Sequence, residues 1–263
     1  MNIAPSQLSH ATILGCGTSM GVPVIGCDCV VCTSPDERNQ RYRTSLMVTT
    51  TSGNHIVFDT TPEFRLQMLR AKVKHLHTVV YTHLHADHSH GFDDLRGVYF
   101  AHNEPLDIWA KQEDLDELKS RFSYAFEDTG YHGVKPDLRV HPIGDNPFVA
   151  EGLEVESLRL PHGSSRTLAF RIGNFAYATD FKRFEPEHLA QWRGKIDTMV
   201  ASGLRFRVHN THSSIAETIE LFNLLKVRRG IITHMSHDVE YVRDSQGLPP
   251  HISLAYDGMR VDL

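Results

Sequence analysis

Metal-ligand side chains are most concentrated in the run Thr82-His83-Leu84-His85-Ala86-Asp87-His88, which directly follows an apolar stretch. Imidazole nitrogen and carboxylate oxygen are the ligands that borderline divalent cations take in proteins. His83 and His85, two positions apart, can grip one ion, and Asp87 and His88 can reach toward a second. The run therefore predicts a pair of adjacent metal ions at the end of a strand. A histidine-rich surface loop is the alternative, because the chain has 18 histidines.

Three residues further along the chain fit the same site, because each follows an apolar stretch that reads as a strand. His162 is predicted to complete the ligands of the first ion. Asp180 is predicted to bridge both ions, since a carboxylate has two oxygens. His234 is predicted to close the ligands of the second ion. Taken singly, each could be an ordinary polar residue or a cap at a strand end.

A second constellation lies in Cys27-Asp28-Cys29-Val30-Val31-Cys32, which holds three of the four cysteines. Three thiolates at this spacing, with one histidine from elsewhere, make a closed tetrahedral zinc site that staples a loop. We expect His237 to be the fourth ligand, since it lies three positions after His234. Reduced structural thiols or a disulfide are the alternatives. Three clustered cysteines cannot all pair with one another, and Cys16 lies in an apolar strand and glycine turn.

The HxHxDH run, followed by strand-end His, Asp and His, resembles the metallo-β-lactamase superfamily. The resemblance implies an α/β fold, a four-layer αββα sandwich with the metal site at one rim, formed as a single domain over 1–263. It implies the same two ligand sets, with Asp180 between them. Asp59 matches a further motif, in which the carboxylate orients a ligand from behind. A strand-end turn or helix cap before Pro62 would explain Asp59 equally well.

The CxCxxC loop and the run Thr233-His234-Met235-Ser236-His237 are similar to the phosphoribosyl cyclic phosphate phosphodiesterases of bacterial phosphonate breakdown. That resemblance implies two catalytic divalent ions, manganese or zinc, and one structural zinc. It also implies a small cyclic ribose phosphodiester as substrate. His212 aligns with a general acid of those enzymes, so the catalytic residues would be His212, Asp87 and Asp180. His209 is the nearby competitor, and an exposed residue near a helix cap is the plainer explanation of His212.

Composition restricts the class of protein. The 263 residues are 40% hydrophobic, enough for one large layered domain. No apolar run approaches the roughly 20 residues needed to span a bilayer, and the first residues lack a basic, apolar leader. We therefore expect a cytoplasmic protein with no membrane partner, and zinc thiolates suit that reducing compartment. Because the net charge is −5, we do not expect long nucleic acid as a partner. The sequence does not decide whether the chain forms a homodimer.

Strand-like and helix-like stretches alternate along the chain, as an α/β sandwich requires. Strands are predicted at 12–14, 45–48, 56–58, 78–81, 153–155, 168–170, 175–177 and 198–200. Helices are predicted near 62–71, 111–121, 185–192 and 214–226. The segment 122–147 is the least regular, and its aromatic residues Phe122, Tyr124, Phe126 and Tyr131 suggest core packing, with a lid or dimer contact as the alternative.

Two further features carry weaker predictions. The run Gly15-Cys16-Gly17-Thr18-Ser19-Met20-Gly21 does not fit the dinucleotide-binding pattern, because its third glycine comes one position too late. It is read as a tight turn that lets the backbone approach the metal rim. Arginine forks suit phosphate oxygens, although a solvated surface position is the plainer reading for each candidate. These arginines are Arg38, Arg41, Arg43 and Arg166.

Four other functions compete with phosphodiester hydrolysis of a small molecule. A tRNA-processing nuclease shares the fold, the metals and the bond cleaved, but the acidic balance disfavours it. Thioester and lactone hydrolases share the metal motif without the three-cysteine loop. A true β-lactamase commonly departs from HxHxDH. A zinc-stapled binding module without catalysis would leave the remaining metal-ligand residues unexplained.

Overall fold

The computed structural model describes residues 8–127 and 135–263. In these ranges the strands form two sheets of seven strands each. The strands are β1 Leu8–Gly15, β2 Ser45–Thr50, β3 His55–Phe58, β4 Thr78–Val80, β5 Leu106–Ala110, β6 Leu138–Pro142, β7 Phe148–Ala150, β8 Leu153–His162, β9 Ser165–Ile172, β10 Phe175–Ala178, β11 Thr198–Ser202, β12 Arg229–Thr233, β13 Ile252–Leu254 and β14 Arg260–Asp262.

Helices cover the outer faces of both sheets. The α-helices are α1 Phe64–Arg70, α2 Ala86–Ser89, α3 Leu95–His102, α4 Gln112–Arg121, α5 Ser123–Phe126, α6 Pro186–Trp192, α7 Ile215–Leu225 and α8 Tyr241–Ser245; Glu37–Asn39 and Phe92–Asp94 form 3-10 turns. Helices α1 and α4 pack on the first sheet, and α7 packs on β11 and β12 of the second. The predicted α/β architecture with αββα layers is confirmed.

The strand order explains where a site can form. The first sheet runs β14-β1-β2-β3-β4-β5-β6, and β3 to β6 are parallel. The second runs β13-β12-β11-β10-β9-β8-β7, and β10 to β13 are parallel. The carboxyl ends of parallel strands share one edge of a sheet, which is where α/β proteins bind ligands. Residues that follow β3, β4, β10 and β12 are therefore brought to the same rim.

Strand β2 shows how the core is divided. All six of its residues are buried, and their side chains alternate between two apolar clusters. Leu46 and Val48 lie in the cluster between the sheets, whereas Met47 lies in the cluster beneath α1 and α4. Because both faces of this strand are covered, it reads in the sequence as an unbroken apolar run rather than an alternating one.

Most predicted elements are present, but several are longer than predicted and others were missed. Strand β8 extends to His162, and the prediction missed the strands β5, β6, β7, β13 and β14 and the helices α2, α3, α5 and α8. In the segment 122–147, Phe122 and Phe126 pack against Phe92 at ring-centroid distances of 4.8 and 5.6 Å. The described part of this segment thus packs on the core, and Tyr131 lies outside the described residues. No helix within 8–127 or 135–263 is long and apolar enough to cross a membrane.

Candidate metal centres

The rim, defined as the seven predicted ligands of the ion pair, is assembled from strand ends of both sheets. His83, His85, Asp87 and His88 follow β4, and His162 ends β8. Asp180 follows β10, and His234 follows β12. The structure brings all seven together, in two groups whose ligand atoms lie within 4.8 Å of one another: His83, His85 and His162; and Asp87, His88, Asp180 and His234. Their role as metal ligands remains a prediction from sequence and geometry.

Asp180 joins the two groups through its two oxygens. Oδ1 lies 3.0 Å from Nε2 of His234 and 3.4 Å from Nε2 of His88. Oδ2 lies 3.8 Å from Nε2 of His162. Each oxygen of this carboxylate therefore faces a different one of the two ligand groups, which is the arrangement that a bridging ligand requires.

Three of the imidazoles, those of His83, His88 and His162, are held from behind through Nδ1, which leaves Nε2 toward the rim. Nδ1 of His88 lies 2.7 Å from Oδ2 of Asp59, which also accepts a hydrogen bond of 2.8 Å from the Thr82 hydroxyl. Nδ1 of His83 lies 3.0 Å from the same hydroxyl, and Nδ1 of His162 lies 3.3 Å from the Thr211 carbonyl oxygen. Such outer contacts fix the tautomer and ring angle of a ligating histidine. Asp59 thus occupies the orienting position that the family resemblance implied.

The inner nitrogens provide a test of whether these residues fit metal ions. Nε2 of His83, His88 and His234 are buried and make no well-aligned hydrogen bond within the described residues. Buried polar atoms are nearly always satisfied, so several orphaned nitrogens at one place need an explanation. Imidazole and carboxylate ligands suit zinc, manganese or iron. The residues present therefore fit a pair of divalent cations.

Backbone conformation also marks the rim. Asp59, Asp180 and His234 have φ angles of 67°, 53° and 57°, in the left-handed region. Each such residue costs about 1–3 kcal/mol unless its surroundings compensate, and such strain concentrates at functional sites. Each lies one or two residues after the end of a strand, where the left-handed conformation turns the chain away from the strand direction.

Burial and mutual charge control protonation at the rim. Burial lowers the pKa of His83 well below its usual value, so this imidazole is neutral. Burial also acts on His88, but the carboxylates of Asp180, Asp59 and Asp87 outweigh it and raise its pKa. Burial opposes ionisation of Asp180, yet His234 and His88 hold its pKa well below the usual range. The rim therefore gathers ionised carboxylates among imidazoles, a charge balance that attracts cations.

His212 lies at the mouth of the rim, just before α7. Its Nδ1 is 3.8 Å from Oδ2 of Asp180, and its ring centroid is 5.1 Å from that of His234. His209, the competitor, has its ring 5.1 Å beyond His212. Burial, followed by the neighbouring His234, lowers the pKa of His212 to about 3. His212 is therefore close enough to act on a substrate held at the rim, and neutral in the free site.

The cysteine cluster, defined as Cys27, Cys29, Cys32 and His237, also converges. The three Sγ atoms lie 3.3, 3.5 and 3.5 Å from Nδ1 of His237. A tetrahedral zinc ion with the usual bond lengths sets sulfur and nitrogen ligands about 3.5 Å apart. All four cysteines are free thiols, which removes the disulfide alternative. The cluster therefore fits a zinc ion.

The arginine and glycine predictions have mixed outcomes. Arg41 is buried, so it is neither a phosphate ligand nor a solvated surface residue. Arg43 donates to the Ser19 carbonyl oxygen over 2.7 Å and pairs with Glu63, and Arg38 pairs with Asp36. Arg166 is exposed. A Cβ at Gly15 or Gly17 would lie 2.1 and 2.9 Å from the carbonyl oxygens of Arg43 and Arg41, so close backbone approach explains both glycines.

A cavity of about 310 Å³ opens onto the rim. Its size lies at the lower end for ligand sites, which suits a small molecule. Residues that sequence reasoning did not single out complete its wall, above all Ser19 from the glycine turn and Ser165 beside His162. Serine has no spacing signature, so only the fold identifies these two.

Comparison with known proteins agrees with this geometry. The model of the beta-lactamase superfamily domain matches residues 54–235, which include the whole rim. The chain belongs to the metallo-β-lactamase superfamily. It is accordingly a metal-dependent hydrolase of that superfamily, and the fold predicted from the motifs is confirmed.

Among solved structures, the chain resembles a diphosphatase from the PhnP family, at 34% identity and a TM-score of 0.89, over 97% of both chains. PqqB from Methylobacterium extorquens, crystallised with zinc, shares the fold at 18% identity and a TM-score of 0.79, over 97% of this chain and 100% of that one. The human short-form tRNase Z shares the fold at 14% identity and a TM-score of 0.65, over 96% of this chain and 98% of that one. The resemblance predicted from the CxCxxC loop and the run Thr233–His237 was to the PhnP-like family, and this match confirms it.

One curated relative is an octanoyltransferase of Porphyromonas gingivalis, 37% identical over 250 residues. The match covers 94% of this chain and 50% of the relative. The chain thus spans about half the length of the curated relative it matches, so that relative's activity is not assigned to it.

Proposed function

We propose that this chain is a metal-dependent phosphodiesterase that hydrolyses a small phosphodiester, with a cyclic phosphate on ribose as the leading candidate. The observation that carries the proposal is Asp180, whose oxygens face two imidazole groups while His212 lies 3.8 Å away. A diester is an anion that repels hydroxide, so its hydrolysis needs cations at the phosphoryl oxygens and a proton for the departing oxygen. Ions held at the rim would supply the cations, and His212 would supply the proton.

The rim residues would hold two divalent ions, manganese or zinc. His83, His85 and His162 would hold one, Asp87, His88 and His234 the other, and Asp180 both. When bound, such a pair clamps phosphoryl oxygens and lowers the pKa of an attacking water. Because two divalent cations outweigh the carboxylates of Asp59, Asp87 and Asp180, the loaded rim keeps positive charge for an anionic diester. The cysteine cluster would hold a third ion, zinc, with a structural role.

His212 is proposed as the proton donor to the departing oxygen, a contribution typically worth about 10²–10⁴ in rate. Burial sets its pKa at about 3 in the ion-free site, so the imidazole is neutral there. A bound phosphate brings negative charge beside the ring and raises that pKa, so the proton would be taken up together with the substrate.

Leaving groups test this role. His212→Ala should leave the metal content intact and slow alkyl phosphodiesters by about 10²-fold or more, because their leaving oxygens need a proton. It should spare bis-nitrophenyl phosphate, whose leaving group departs without one. His209→Ala is the matched control. An equal loss on both substrate classes, or the asymmetric loss in the His209 variant, would reject His212 as the acid.

The linkage cleaved is tested with a substrate panel. The diphosphatase relative favours hydrolysis of a P–O–P linkage as a second candidate. The panel therefore contains ribose cyclic phosphate, cyclic nucleotides, bis-nitrophenyl phosphate, a nucleoside diphosphate, tRNA precursor, an octanoyl thioester and nitrocefin. Inactivity toward every phosphodiester after metal loading would overturn the proposal. Elemental analysis of the same preparation should find about three ions per chain, two of them at the rim.

Other features remain proposals with the function. A single domain over 1–263, a cytoplasmic location and a small-molecule substrate rather than long nucleic acid all fit it. The small cavity and the net charge of −5 support the small substrate. Size-exclusion chromatography with light scattering would decide whether the chain forms a homodimer.

A further inference from the structure

Arg41 lies at the junction between the loop that carries the cysteines and the segment His234–Val239. Its backbone pairs with Val22 through hydrogen bonds of 2.9 and 2.7 Å, at the start of the cysteine loop. Its side chain is 2% exposed and turns the other way. Nη1 donates to the Ser236 carbonyl oxygen over 2.9 Å, and Nη2 donates to the Val239 carbonyl oxygen over 2.8 Å.

The charge of Arg41 is compensated in an unusual way. Within the described residues, no carboxylate lies at ion-pair distance from its guanidinium. Its partners are the carbonyl oxygens of Ser236 and Val239, the Arg38 carbonyl oxygen, which accepts from Nε over 3.3 Å, and Oδ1 of Asn39, which accepts from Nη2 over 3.0 Å. A buried charge is costly unless hydrogen bonds replace its hydration. The segment must therefore keep its carbonyl oxygens in place for Arg41, and Arg41 fixes those oxygens in turn.

The segment held in this way carries a ligand of each metal centre. His234 belongs to the rim, and His237 to the cysteine cluster. Backbone bonds to Cys16 and Thr18 secure Met235, at 2.8 and 3.3 Å. The carbonyl groups on either side of His237 are those that Arg41 holds, because Ser236 precedes it and Val239 follows it.

We propose that Arg41 is a positioning residue that sets the segment His234–Val239 and thereby places His237 against the cysteines and His234 against the rim. The rim half of this inference rests on the proposed function, whereas the cysteine half does not. Arg41 touches neither centre, so its effect on hydrolysis passes through the two histidines.

The test compares Arg41→Met, which keeps bulk and removes the donors, with the exposed Glu37→Gln as a control from the same stretch. Circular dichroism and a melting curve establish that each variant is folded. The first readout is the rate at which zinc passes from the protein to a chromophoric chelator. The second is kcat and KM on bis-nitrophenyl phosphate, and the third is the number of ions retained after dialysis.

We expect folded Arg41→Met to release zinc at least about 10-fold faster, with kcat lowered about 10-fold or more and KM changed less. Loss of a group that orients a metal ligand without binding the ion typically changes metal affinity or activity by factors of this size. Glu37→Gln should match the wild type. Wild-type zinc release and kcat in folded Arg41→Met would overturn the proposal, and faster release with unchanged kcat and ion content would overturn its rim half.

If Arg41→Met does not fold, Arg41→Lys tests the positioning role of Arg41 instead. A lysine keeps the charge but cannot reach both carbonyl oxygens in one plane. Intermediate zinc release and kcat support the proposal, and wild-type values overturn it. If the wild type itself proves inactive on every diester, the proposed function fails, while zinc release and ion content still test Arg41.

Discussion

The rim and the cysteine cluster are both sets of metal-ligand side chains, yet the chain builds them in opposite ways. The rim draws on the ends of strands from both sheets, spread from His83 to His234, and nearly all of its ligands are buried. The cysteine cluster takes three ligands from one six-residue stretch, and only Cys32 of the four is buried. Sheet packing therefore organises the rim before any ion binds. The cysteine loop has only the small apolar cluster of Val22, Val31 and Cys32, so we expect it to depend on the zinc ion proposed there.

The largest expected effect comes from the residue that the two halves of the rim share. Asp180→Asn keeps the shape but weakens the bridge between both ions, so kcat/KM on bis-nitrophenyl phosphate should fall by more than about 10²-fold. Elemental analysis should show the rim ions depleted and the zinc of the cysteine cluster retained. The exposed Asp145→Asn serves as the control. Full activity of Asp180→Asn would show that Asp180 does not bridge the two ions.

The next effect tests how far the rim depends on support from behind. Asp59→Asn leaves every ligand in place but weakens the contact that orients His88. Affinity for the rim ions or activity should fall by about 10–100-fold, recovering in part at high metal concentration. Activity against metal concentration is the measurement. Unchanged metal dependence would mean that Asp59 only terminates its strand.

A smaller effect on activity is expected at the cysteine cluster. Cys29→Ser should remove one ion per chain and lower the melting midpoint by about 4–8 °C, equivalent to about 2 kcal/mol in a domain of this size. The rim ions should stay, because the sheets hold their ligands. Asp28→Asn, in the same loop, is the control for calorimetry and elemental analysis. Loss of all ions in Cys29→Ser would show that the two centres form as one unit.

The smallest effect concerns Asp114, a carboxylate of α4 outside both metal centres. Burial, followed by Glu113 and Glu117, raises the pKa of Asp114 to about 6, and Asp59 adds to the shift. The ionised form is thus disfavoured in the folded state above pH 6, and this penalty vanishes below the unfolded pKa of about 4.

Asp114→Asn should therefore stabilise the protein at pH 7.5 by about 1 kcal/mol, after allowance for solvent screening, and have no effect near pH 4. Urea unfolding at the two pH values measures this difference, with the exposed Asp116→Asn as control. A gain that is equal at both pH values would contradict the electrostatic cause.

Local spacing made it predictable from the sequence which residues come together in each candidate centre. HxHxDH and CxCxxC place their side chains within one loop each, and the strand-end positions of His162, Asp180 and His234 follow from apolar runs. The fold class followed from the same motifs through family resemblance. The assignment of roles to these residues remains a prediction.

What the sequence did not show depends on contacts between distant segments. Arg41 reads as a surface residue, because nothing nearby indicates that Ser236 and Val239 will surround it. Nothing in the sequence indicates the left-handed φ angles of Asp59, Asp180 and His234, because glycine is the residue expected in that conformation. Strands β5 and β6 were missed because they are stabilised by pairing with β4 and with each other. Such pairing joins segments that are distant in the sequence, so the local pattern does not reveal it.

The position of the rim across both sheets has a thermodynamic consequence. The proposed ion pair, whose ligands include His83 and His88 from one sheet and Asp180 and His234 from the other, would bind only while the sheets are packed together. By mass action its free energy of binding adds to that of folding. Resistance to heat should therefore rise with free metal concentration, and scarcity of the ion would shorten the lifetime of the folded chain as well as lower its turnover.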